Sequence, residues 1–137
     1  MEKTLNFHDR KGTCLLRLTP AKAEYSGTDL LRTVVEFNVG AFAGRIGIDA
    51  MTYDFANLKK GLTAIYEGRI SHYGFVTMED ELSMDFEMDE LGGIAVKVSI
   101  AKYRYNIDAH FARLEFEYTM DQSFIPELIR EIDEITA

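Results

Sequence analysis

The stretch Glu81-Leu82-Ser83-Met84-Asp85-Phe86-Glu87-Met88 decides the fold. Leu82, Met84, Phe86 and Met88 alternate with Glu81, Ser83, Asp85 and Glu87. Successive strand side chains point to opposite faces, so this period of two makes one packed face and one wet face. Gly92-Gly93 then supplies a turn, and Ile94, Val96, Val98 and Ile100 repeat the pattern against Ala95, Lys97, Ser99 and Ala101. After a connection over 103–109, Ala112, Leu114, Phe116 and Tyr118 alternate with Arg113, Glu115 and Glu117. Three such runs in succession read as an antiparallel meander, packed on one side and solvated on the other.

Upstream, Tyr73 to Met78 forms a short strand, and before it the period changes. Phe55, Leu58, Leu62 and Ile65 fall on one stripe of a helix. Thr52 is placed to cap it, Asp54 suits its first turn, and Gly68 follows its last turn. Gly61 inside that helix costs about 1 kcal/mol against alanine, which predicts close packing against the sheet. Further back, Leu30 to Val39 and Phe42 to Ala50 make a hairpin about Gly40. Thr13 to Thr19 is a strand ending at Pro20, residues 20–29 are a loop, and Leu5 and Phe7 mark a short edge strand.

At the other end Phe124, Ile125, Leu128, Ile129, Ile132 and Ile135 form a helical stripe. Pro126 belongs in the first turn, which favours Ser123 over Asp121 as the cap. The order is strands, helix, strands, helix. It predicts an α+β fold, a curved antiparallel β-sheet meander with two helices packed on one face, in a single domain over 1–137.

The chain has 137 residues, 47% of them apolar and 28% charged, ordinary proportions for a globular protein. One cysteine, Cys14, allows no intrachain disulfide, and its apolar setting reads as a small buried hydrophobe. The polar start Met1-Glu2-Lys3-Thr4-Leu5 is not a secretion signal, and no apolar run reaches the ~20 residues a membrane helix needs. A cytoplasmic location fits.

Chemistry-bearing motifs are missing. His8, His72 and His110 stand apart from one another, and no Walker loop, GxSxG elbow or GxGxxG fingerprint occurs. Asp49 and Asp54 flank the entry to the first helix, where capping and solvation account for them. The expectation is no enzyme, no catalytic residues, no metal and no cofactor.

Charge is more informative. The net charge is −8, unevenly spread: residues 1–70 hold 10 Lys and Arg against 8 Asp and Glu, whereas 71–137 hold 5 against 15, a net of −10. An acidic half disfavours nucleic acid and anionic membrane and suits a basic protein partner. Glu81, Asp85 and Glu87 share one strand face, with Lys97 beside them and Arg113, Glu115 and Glu117 on the next strand. Tyr103, Arg104 and Tyr105 add residue types enriched at interface hot spots. The predicted partner-binding residues are therefore Glu81, Asp85, Glu87, Tyr103, Arg104, Tyr105, Glu115 and Glu117.

Three segments carry a family resemblance. One is Val34-Val35-Glu36-Phe37-Asn38-Val39-Gly40-Ala41-Phe42-Ala43-Gly44 with the helix through Asp54, Phe55, Leu58, Leu62, Ile65 and Tyr66. Another is Leu91-Gly92-Gly93-Ile94-Ala95-Val96, and the most specific is Asp121-Gln122-Ser123-Phe124-Ile125-Pro126. Over roughly 30–136 the chain resembles the bacterial family named after the immunity protein WapI. It departs from the family's pattern in having Leu30 and Leu31 where members often place a tryptophan. The resemblance implies a cytosolic protein that binds and neutralises a cognate toxin domain, often a nuclease. The alternative is a housekeeping or scaffold protein acting as a homo-oligomer through a sheet edge or face.

Overall fold

The computed structural model describes residues 2–22, 29–102 and 112–137. The alternating runs form the strands β1 (Leu5–His8), β2 (Cys14–Lys22), β3 (Leu30–Val39) and β4 (Phe42–Met51). The helix α1 (Thr52–Tyr66) follows, then β5 (His72–Val76), β6 (Leu82–Met88), β7 (Gly93–Lys102), β8 (Ala112–Asp121) and the C-terminal helix α2 (Ile125–Thr136). The fold is α+β with every strand pair antiparallel. The meander is divided into two four-stranded sheets, β1-β2-β3-β4 and β5-β6-β7-β8, with α1 between them in sequence. Among the described residues each strand pairs only with its neighbour in sequence, and the ladder stops where the chain turns helical.

The two sheets and both helices share one core. Leu5, Phe7, Leu16, Leu18 and Val35 come from the N-terminal sheet, and Leu82, Met84, Phe86, Ile94 and Val96 from the C-terminal one. Phe7 and Phe86 bring their ring centroids within 6.5 Å across the join. Phe55, Leu58, Leu62 and Ile65 of α1 and Ile125, Leu128 and Ile132 of α2 close the remaining sides. α1 packs on β5 and on α2, and α2 packs on β1.

Several local readings need correction. β2 runs through Pro20 to Lys22 rather than ending at Thr19. β1 pairs with β2 only as far as Leu18, so one side of Pro20 has no neighbouring strand and its missing N–H breaks no ladder bond. The residue capping α1 is Met51, not Thr52; the Asp54 carboxylate accepts from the Met51 N–H at 2.8 Å. Asp121, not Ser123, caps the turn Gln122–Phe124 leading into α2, its carboxylate accepting from the Ser123 N–H at 3.0 Å. Cys14 is half-buried, its thiol turned to the Leu16 carbonyl. Gly68 has φ +75° just beyond α1, the left-handed conformation a residue in that place requires.

Gly61 lies against the ring of Tyr73, and a β-carbon at 61 would fall inside the contact distance of its ring atoms. Alanine gains about 1 kcal/mol of helix propensity but overpacks this contact by about 1–3 kcal/mol. Gly61→Ala should therefore lose up to about 2 kcal/mol net in urea unfolding. A variant more stable than the parent would mean that Tyr73 swings aside freely.

Tyr118 is buried, and its hydroxyl has no hydrogen-bond partner among the described residues. Burial pushes its phenol far above the usual tyrosine range, with Cys14 and Asp9 adding to the shift. An unfolded tyrosine ionises near pH 10 whereas this one stays neutral, so above about pH 10 the unfolded state binds fewer protons and stability falls as pH rises. Tyr118→Phe should flatten that alkaline loss, read from unfolding curves between about pH 9 and 11. An unchanged slope would place the loss elsewhere.

Candidate partner-binding face

The pleat of the C-terminal sheet sends one residue in two outward, and the register aligns these into rungs. Gly74, Asp85, Lys97 and Glu117 make one rung across β5, β6, β7 and β8. Val76, Ser83, Ser99 and Glu115 make the next, and His72, Glu87, Ala95 and Thr119 the one on the other side. Small side chains at 74, 83 and 99 leave the middle of the twisted sheet low. The face is a shallow concavity of about 680 Å³, reaching from Gly74 on β5 to Glu117 on β8.

Its charges are only partly paired. Asp85 takes a hydrogen bond from the His72 ring at 2.5 Å, with both side chains substantially exposed. Lys97 lies in register between Asp85 and Glu117 but makes no ion pair within 4.0 Å among the described residues. Glu115 stands 3.6 Å from Arg113. Asp85, Glu87, Glu115 and Glu117 thus face Lys97 and Arg113, four carboxylates against two cations. Such a face attracts a basic protein and speeds its encounter.

Glu81 does not belong to this face. It precedes the first residue of β6, is only 7% exposed, and turns inward to Lys102 at 3.1 Å. Its carboxylate also accepts from the Asp49 N–H at 3.5 Å, while Lys102 donates to the Gly47 carbonyl at 2.8 Å. The pair therefore ties the end of β7 to the outer edge of β4. Tyr103, Arg104 and Tyr105 lie outside the described residues. His72 joins the face because β5 begins one residue earlier than the alternation from Tyr73 indicates, which pairs His72 with Glu87 on the wet side. Among the described residues no group of three or more His, Cys, Asp or Glu could hold a metal ion, and no helix is long and apolar enough to cross a membrane.

Comparison with known proteins gives a family. No curated protein matches the chain. It is similar to a solved structure described as "Crystal structures of trypanosoma bruciei MRP1/MRP2", at 12% identity and a TM-score of 0.49, covering 97% of this chain and 81% of that one. The family model of the immunity protein WapI-like family matches residues 6–137, nearly the whole chain. The chain belongs to the immunity protein WapI-like family.

Proposed function

We propose that this protein is a non-catalytic immunity protein that neutralises a basic toxin domain by covering it with the concave outer face of the C-terminal sheet. The observation that carries the reading is the set Asp85, Glu115 and Glu117, which outnumbers Lys97 in the concavity, with Glu87 and Arg113 beside it on the same sheet face. Membership of an immunity family supplies the kind of partner. A toxin that acts on nucleic acid needs a cationic surface for phosphates, and an acidic protein face competes for that surface. Nuclease is therefore the toxin class this charge fits. We place the protein in the cytoplasm of the producing cell, where such a toxin would act. From the sequence we add Tyr103, Arg104 and Tyr105 as short-range anchors beside the charged face.

The test is co-expression with the product of a toxin-like gene found beside the gene for this protein. A stable complex and loss of toxicity are expected. Failure to bind that product, together with a concentration-dependent mass for the protein by itself, would favour the homo-oligomer instead.

A further inference from the structure

We propose that the outer edge of β8 takes an added strand from a basic partner, in which lysine or arginine alternates with apolar residues. This rests on the immunity reading only for the identity of the partner. The edge itself follows from the backbone. Arg10 donates its N–H to the Thr119 carbonyl at 3.1 Å, so the polar groups of Thr119 point away from β7. The N–H and C=O of one strand residue share a side, and the side alternates along the strand. Glu115 and Glu117 therefore also direct their backbone groups outward. Among the described residues nothing bonds those groups.

The edges of the N-terminal sheet are treated differently. At β1 the Glu131 carboxylate of α2 accepts from the Asn6 N–H at 2.9 Å and from its side-chain amide at 2.8 Å. At β4 the Glu81–Lys102 pair occupies the outward groups of Gly47 and Asp49. A charged side chain laid over an edge blocks strand addition. The distal part of β4 carries Arg45, which repels a cationic strand. The β5 edge is five residues long and presents His72, Gly74 and Val76 without a carboxylate. Among the described edges only β8 combines open backbone groups, at Glu115 and Glu117, with outward carboxylates.

Side chains match on both faces. Glu115 and Glu117 lie on the outer face of the sheet, where the cations of an added strand would stand beside them. On the inner face Leu114 and Phe116 are only half-buried, whereas Met120 further along the same strand is 1% exposed. The alternate apolar residues of an added strand would cover them. Main-chain bonds then give affinity and the alternating side chains give specificity. A second copy of this chain is a poorer occupant, since pairing β8 with itself sets Glu115 and Glu117 against the same carboxylates.

The probe is a synthetic peptide of alternating valine and lysine, and the same peptide N-methylated at alternate amides so that it keeps its charge but cannot pair. The plain peptide should shift the Glu115 and Glu117 amide resonances, and N-methylation should weaken binding about tenfold or more. Glu117→Pro removes an outward N–H that the β7 ladder does not use, and should weaken the plain peptide about tenfold, whereas Glu117→Gln should weaken it only about two- to fivefold. Equal binding of both peptides to the parent protein would overturn the proposal, whether or not the proline variant folds. So would no binding at all, or a parent dimer that Glu117→Pro dissociates. Binding of the neighbouring toxin that survives Glu117→Pro would overturn strand addition and leave the immunity reading intact. Peptide pairing without toxin binding would do the reverse.

Discussion

Leu128→Ala should lower the unfolding free energy by about 2–5 kcal/mol. α2 has 12 residues, about the length at which an isolated helix is marginal in water, so its stability must come from packing. Leu128 is the middle anchor of the stripe, 2% exposed, between Ile125 and Ile132 at 0% each. Truncation removes buried methyl groups and leaves a void beside α1 and β1, on which α2 packs. The exposed side of the helix makes a useful contrast. Arg130 pairs there with Glu127 and Glu134 in solvent, and such pairs are worth only a few tenths of a kcal/mol. Arg130→Ala should therefore cost well under about 1 kcal/mol. Urea unfolding at constant m-value separates the two variants. A Leu128→Ala loss below about 1 kcal/mol would make α2 peripheral.

Asp85→Lys combined with Glu87→Lys should slow association with the toxin about 10- to 100-fold at low salt. Each substitution changes the face by two charge units, so four carboxylates against two cations become two against four. Long-range attraction, screened over about 8–10 Å at ordinary ionic strength, is thereby turned into repulsion. The fold should survive, because both side chains stand on the wet side of β6 and the His72–Asp85 pair is exposed. Dissociation should change much less than association. An unchanged association rate would reduce the face to a solvated surface.

Much of the fold was legible because periodicity reports which side of an element is buried. The exact span Leu30–Val39 and the alternation from 82 to 88 are instances, as is the stripe through Phe55, Leu58 and Leu62. What periodicity does not carry is which strands meet across a helix. The division at α1 into two sheets was therefore invisible, since β4 and β5 differ from paired neighbours only in where the chain goes between them. Pro20 illustrates the same gap: its tolerance depends on β1 stopping opposite Leu18, a fact about another strand.

The candidate face divides in the same way. Asp85, Glu87, Glu115 and Glu117 were readable because their neighbours in sequence settle their orientation. Glu81 has the same parity but points inward, because Lys102 and the Asp49 amide, both distant in sequence, draw it in. The concavity depends on Gly74, Ser83 and Ser99 falling together, which only the registers of β5 with β6 and β6 with β7 bring about. The edge chemistry of β8 was likewise hidden, because its key bond runs from Arg10, more than a hundred residues away.

The central claim is that this acidic face is the one that meets the toxin. Cross-saturation NMR tests it most directly, with the deuterated protein bound to the unlabelled toxin domain of the neighbouring gene. Saturation should reach amides of the C-terminal sheet, foremost those around Asp85, Lys97, Glu115 and Glu117. Saturation confined to the outer face of the N-terminal sheet, around Arg17, Arg32 and Arg45, would contradict it.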